Sequence, residues 1–168
     1  KRYCMALSGG FVSDRDIDTL CESIKRIKAP GKLDTCCSLG FITLEQAKRL
    51  KAAGLDRVNH NLNTSPSYYS KICTTHTFSE RVQNIRRCQE AGLEICSGGI
   101  FGQGETEQDI VDFLFELKNI NPDSIPLNFL IPIKGTPFEN MDTGLTPGKS
   151  LKILALARFI LPDKDIRL

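Results

Sequence analysis

Short apolar runs alternate with well-capped helical segments along the whole of this chain, and that alternation restricts the fold more than any other feature. Ser13-Asp14-Arg15-Asp16, Thr43-Leu44-Glu45-Gln46, Thr77-Phe78-Ser79-Glu80 and Thr106-Glu107-Gln108-Asp109 each read as a capping box. A Ser or Thr side chain there accepts from the backbone three residues on, and an acidic or amide side chain returns the favour. Thr146-Pro147 adds a fifth start, with proline at the first helical position. A shorter helix is predicted over Ser65–Lys71. Between these lie runs of strand length: Arg2–Ala6, Lys32–Cys37, Arg57–Asn61, Glu94–Ile100, Ser124–Leu130 and Asp165–Leu168. Ala53-Gly54-Leu55 and Ala91-Gly92-Leu93 mark two matching helix-to-strand junctions 38 residues apart, the length of one βα unit. In each, glycine supplies the left-handed residue that ends the helix. Strict alternation implies a parallel sheet with right-handed crossovers. The predicted class is α/β, a (β/α) barrel of the TIM type, incomplete, with about six parallel strands. A full barrel takes about eight strands and roughly 250 residues, so residues 1–168 are expected to be a single partial barrel domain, the interior of a longer protein.

Composition excludes several classes. The net charge of +2 is too small to argue for nucleic acid or an anionic membrane surface, and no apolar run is long enough to cross a bilayer. Seven cysteines are an odd count at irregular spacing, a poor disulfide framework. A reducing, cytoplasmic compartment and a metal role for some thiols are therefore expected. Cys4, Cys36 and Cys96 fall toward the ends of predicted strands, and strand ends of a parallel barrel meet at its mouth. Three convergent thiolates favour an iron–sulfur or soft-metal site. Cys21 and Cys88 sit inside amphipathic helices, Cys37 should face away from Cys36, and Cys73 lies in a loop or helix end. These four read as packing residues.

Other polar groups are expected at the same strand ends: Asn59, Asn61, Asn63, Asn128 and Arg167. Asn59 and Asn61 share parity on one strand, and their amides both donate and accept. That suits a cyclic urea, a ribose or a carboxylate. His60, of opposite parity, should pack outward. Gly102-Gln103-Gly104 leads into a helix whose first amides are candidates for an anion or a nucleoside edge.

Several segments together resemble the biotin synthase family of radical S-adenosylmethionine (SAM) enzymes. They are Asn59 through Pro66, Thr74 through Arg81, Cys96 through Ile100 with Gly102 through Thr106, Ile125 through Asn128, and Lys134 through Pro137. The resemblance implies a (β/α) barrel and a sulfurtransferase that inserts sulfur into dethiobiotin by radical chemistry. It implies a 2Fe-2S cluster held by Cys4, Cys36, Cys96 and Arg167 as sulfur donor. SAM would be bound through Asn61, Asn63, Arg81 and Ile100, and dethiobiotin through Asn59, Asn61 and Asn128. A 4Fe-4S cluster, an electron donor such as flavodoxin or ferredoxin, and a homodimer of the full-length protein are implied as well.

The chain departs from the family pattern at Asn63, where aspartate is usual, at His76, where arginine is usual, and over Ala6–Gly10. No Cys-x3-Cys-x2-Cys run, the ligand loop of the 4Fe-4S cluster, occurs in it. The segment alone is expected to be inactive. Other expectations are a radical SAM enzyme acting on another small molecule, or a metal-binding fragment without catalysis.

Overall fold

A computed structural model describes Lys1–Leu168 except Lys32. Seven parallel-paired strands and six helices are present among the described residues. In chain order they are β1 (Arg2–Ala6), α1 (Asp14–Lys28), β2 (Asp34–Ser38), α2 (Leu44–Ala52), β3 (Arg57–Asn59), α3 (Tyr69–Ile72), α4 (Phe78–Glu90), β4 (Glu94–Cys96), β5 (Gly99–Phe101), α5 (Glu107–Ile120), β6 (Ser124–Phe129), α6 (Pro147–Ile160) and β7 (Asp165–Arg167). The start predicted for β2 at Lys32 lies outside the described residues.

The residues form two compact units, Lys1–His60 with Glu80–Cys96, and Asn61–Ser79 with Ser97–Leu168. In the first, β1, β2, β3 and β4 pair side by side, all parallel. The capping boxes at Ser13 and Thr43 form as the spacing predicts, each N-cap hydroxyl accepting from the backbone N–H three residues on. Both Ala-Gly-Leu junctions close in the expected way. Gly54 has φ 103° and Gly92 φ 78°. Leu55 N–H donates to Leu50 O at 3.0 Å and Leu93 N–H to Cys88 O at 3.1 Å, satisfying the last carbonyls of α2 and α4. One sheet face buries Cys37, Val58 and Ile95 completely, with Ile17, Ile24, Leu50, Ile85 and Cys88 of the helices also sealed from solvent. Cys37 and Cys88 are thus buried small side chains, as the sequence predicts, whereas Cys21 is half-buried and points its thiol at Arg49 O of α2 at 3.7 Å. His60 is buried, as its parity requires. Its Nδ1 lies 3.2 Å from Leu39 O and its ring meets Phe41 edge-on.

In the second unit β6 is flanked by β5 and β7, again parallel. Phe101, Ile125 and Leu127 are buried, as are Phe113, Leu114 and Leu117 of α5 and Ile153 and Ala157 of α6; Phe101 meets Phe113 edge-on. The ends of β2, β6 and β7 fall one residue from the sequence reading, and three elements differ more. The predicted Arg57–Asn61 strand ends at Asn59, and Asn63 turns left-handed at φ 73°. The predicted helix over Ser65–Lys71 shrinks to the single turn of α3, and before it Ser65 Oγ accepts from Tyr68 N–H and donates to Asp109. The predicted strand Glu94–Ile100 is two strands, β4 and β5, separated by Ser97 and Gly98. Space explains the break. A Cβ on Gly98 would lie 1.8 Å from Pro126 O, and one on Gly99 would lie 2.4 Å from Asn63 O. Backbone approaches backbone there, and only glycine permits it.

Candidate functional site

Register decides which side chains of the first unit meet. Cys4 stands opposite Cys36, Cys36 opposite Arg57, and Asn59 opposite both Ser38 and Cys96. Alternation then places Cys4, Cys36, Cys96 and Asn59 on one face of the four strands, opposite the face sealed by Cys37, Val58 and Ile95. The three thiols predicted to converge therefore share a side of the sheet. Cys36 is buried, Cys96 half-buried and Cys4 exposed. Burial pushes the Cys36 thiol up to about 11, and the thiols of Cys4 and Cys96 push in the same direction, Cys4 also through a hydrogen bond. Cys36 thus lies close enough to Cys4 and Cys96 to feel their charge.

No group of three or more His, Cys, Asp or Glu among the described residues is arranged to hold a single metal ion. The register gives the reason. Cys4 and Cys36 are neighbours on adjacent strands, whereas β3 runs between Cys36 and Cys96. Two strand spacings are about 9.6 Å, too wide for one ion bonded at about 2.3 Å to each sulfur. A ligand with two metal centres fits that spread better.

The same face carries charge that sequence reasoning missed. Arg2 precedes Cys4 by two residues, Arg57 pairs in register with Cys36, and Glu94 precedes Cys96 by two. Glu94 accepts from Arg57 Nε at 2.9 Å and sits 2.7 Å from its Nη2, and it also accepts from Arg2 Nη2 at 3.3 Å. Arg57 Nη1 and Arg2 Nε are sealed from solvent with no hydrogen-bond acceptor. Orphaned buried donors are rare and expensive, and two of them beside three thiols are what an anionic guest would satisfy. An iron–sulfur cluster with thiolate ligands is such a guest, so donor set and surroundings both fit it. The signal available in the sequence was parity along single strands: Arg2 with Cys4 on β1, Arg57 with Asn59 on β3 and Glu94 with Cys96 on β4.

Arg81 is half-buried in the first turns of α4. The remaining predicted residues belong to the second unit. Ile100 stands opposite Asn128, and Pro126 opposite Arg167, so Ile100, Asn128 and Arg167 share one face of β5, β6 and β7. Arg167 pairs with Asp165, Nε at 2.7 Å and Nη2 at 2.6 Å. Asn61 Oδ1 accepts from Gly98 N–H at 3.1 Å. Asn63 is fixed by its backbone, accepting from Ile100 N–H and donating to Gly98 O, both at 3.0 Å. Asparagine is among the few side chains that take this left-handed conformation cheaply. The anion site expected at Gly102–Gly104 is filled from within: Glu105 accepts from Gly102 N–H at 2.6 Å and Gln103 N–H at 2.7 Å.

Residues 1–117 match the model of the radical SAM superfamily, and residues 126–168 match the biotin and thiamin synthesis associated domain. A biotin synthase of Bacillus cytotoxicus is 47% identical over 99% of this chain and 50% of its own length. One of Rhodopirellula baltica is 48% identical over 100% of this chain and 46% of its own. The chain thus spans about half the length of the curated relatives it matches. Among solved structures, methylornithine synthase superposes with TM-score 0.79 at 21% identity, over 90% of this chain and 45% of that one. The hydrogenase maturase HydG superposes with TM-score 0.80 at 18% identity, over 99% of this chain and 40% of that one. These likenesses show the fold, a radical SAM (β/α) barrel of which seven strands are present here among the described residues. The resemblance to biotin synthase runs the full length of the chain. With residues 1–117 of 168 matched by its model, the chain belongs to the radical SAM superfamily.

Proposed function

We propose that this chain is the central part of a biotin synthase, a sulfurtransferase that converts dethiobiotin to biotin. The observation that carries the reading is the thiol face: three cysteines on one side of four parallel strands, with buried cationic donors beside them, in a chain 45–48% identical to biotin synthases. Cys4, Cys36 and Cys96 would hold a 2Fe-2S cluster, with Cys4 and Cys36 suited by adjacency to one iron and Cys96 to the other. Arg167, carried over from the family resemblance, would complete the ligand set. It would have to give up Asp165 to do so, and a guanidinium otherwise keeps its proton. When bound, the 2Fe-2S cluster would supply the inserted sulfur, and SAM with a 4Fe-4S cluster the radical chemistry that opens the C–H bonds.

The chain's own residues bind and align. Asn59, Asn61 and Asn128 would hydrogen-bond dethiobiotin; Asn61 and Asn63 would hold the SAM ribose, Ile100 would pack on its adenine, and Arg81 would lie by its amino acid portion. Reacting atoms must be held within contact distance, so a loosened amide loses turnover by misalignment. The amide at Asn63 offers ribose hydroxyls an uncharged partner where an aspartate would offer a charged one.

The two units would be portions of one barrel domain. The segment alone would not cleave SAM, since it has no Cys-x3-Cys-x2-Cys run. A flavodoxin or ferredoxin would deliver electrons, the full-length protein would be a homodimer, and the compartment would be the reducing cytoplasm. No helix among the described residues is long and apolar enough to cross a membrane. The test is conversion of dethiobiotin by the full-length protein after anaerobic loading with iron and sulfide, in the presence of SAM and a reductant. Biotin formation is the expected result. A protein that carries both clusters and cleaves SAM yet makes no biotin would overturn the substrate assignment.

A further inference from the structure

We infer that Arg57 is a hydrogen-bond donor and counter-charge to the iron–sulfur cluster carried by the thiol face, held in that role by Glu94. The inference deepens the proposed function and rests on it. Arg57 is only 7% exposed. Its register partner on β2 is Cys36, so the two side chains leave the sheet side by side on one face. Two of its three nitrogens, Nε and Nη2, are fixed by Glu94. Both face the same oxygen, Oε2, and that contact orients the guanidinium and leaves Nη1 sealed from water with no acceptor.

A buried N–H with no acceptor costs free energy in the metal-free protein. Folding a guanidinium into such a position makes physical sense when an acceptor arrives later. On this face the acceptor would be a sulfur, either a bridging sulfide or a thiolate. Hydrogen bonds and positive charge at cluster sulfurs stabilise the reduced, more negative state and raise the reduction potential. Glu94 opposes part of that charge. However, Glu94 is partly open to solvent, and Arg2 Nη2 lies 3.3 Å from its Oε2, so it is shared between two cations. Arg2 and Arg57 are balanced in formal charge by Glu94 and by Asp34, 3.8 Å from Arg2, but both carboxylates are the more exposed partners, so water screens them and the buried end of the set is cationic.

The test uses the full-length protein loaded anaerobically with iron and sulfide, in wild type, Arg57→Lys and Arg57→Gln. The readouts are the visible absorption of the two-iron cluster and a redox titration followed by that absorption. Arg57→Lys keeps a positive charge and should hold a cluster of nearly wild-type potential. Arg57→Gln should lower the reduced-to-oxidised ratio at a fixed potential about tenfold, a shift of about 59 mV for one electron. Loss of the cluster in Arg57→Gln with normal behaviour in Arg57→Lys would equally support the role. Equal potentials in all three proteins would overturn it. Cluster loss in both variants would overturn it too, marking Arg57 as a folding residue. If the wild type itself shows no two-iron absorption, the proposed function falls as well, and that result is visible before any variant is compared.

Discussion

Replacing Cys36 or Cys96 with alanine in the full-length protein is expected to abolish the visible absorption of the 2Fe-2S cluster, while Cys37→Ala leaves it intact. Cys36 and Cys37 are adjacent in sequence and both buried, so composition and exposure do not separate them. The pleat does. Cys36 shares its face with Cys4 and Asn59's neighbour Cys96, and Cys37 goes to the helix-covered side with Val58 and Ile95. Losing one cluster thiolate removes a metal–sulfur bond that nothing else on that face replaces. Losing Cys37 removes only a small packed side chain, costing about 1 kcal/mol. The paired comparison, read by absorption and by iron and sulfide content, therefore separates ligation from packing. A spectrum retained in both Cys36→Ala and Cys96→Ala would remove these two as ligands.

The largest stability effect is expected at Gly98. An alanine methyl would sit 1.8 Å from Pro126 O, and 2.7 Å from its carbonyl carbon. Both obstacles are backbone of a central strand, so no side-chain rotation relieves the clash. Either β6 moves away or the Ser97–Gly98 segment does, and the second choice pulls Gly98 N–H off Asn61 Oδ1. Gly98→Ala should cost about 3–5 kcal/mol and lower the melting temperature by roughly 10 °C. Gly10→Ala is the control, because a Cβ there meets nothing within 4 Å. Equal melting temperatures for the two variants, measured by circular dichroism, would contradict the close approach.

How much of this was legible in the sequence follows the range of the interactions involved. The helix starts at Ser13, Thr43 and Thr106 were readable because a capping box closes within four residues. So were the ends at Gly54 and Gly92. The side of the sheet taken by each cysteine followed from parity once the strands were placed. The break between β4 and β5 was not readable, since its cause is Pro126, far along the chain and brought close only by folding. The bonds from Ser65 and Ser67 to Asp109 were unreadable for the same reason, since they span 44 and 42 residues. At Gly102–Gly104 the glycines suggested an open anion cradle, but Glu105 already fills it. The Arg57–Glu94 pair was missed because two charged residues 37 apart on neighbouring strands become partners only through register.

Bonding of Cys4, Cys36 and Cys96 to iron is read thiol by thiol by alkylation mapping. The full-length protein would be treated with iodoacetamide before and after cluster loading, and the modified cysteines located by mass spectrometry. Cys73 is an internal standard: burial raises its pKa, but hydrogen bonds involving Thr75, His76 and Tyr69 prevail and hold it down at about 7, so it should label in both states. Exposed Cys4 and half-buried Cys96 should label in the cluster-free protein and become protected on loading. Labelling of Cys4 and Cys96 that is unchanged by a bound two-iron cluster would contradict the central claim.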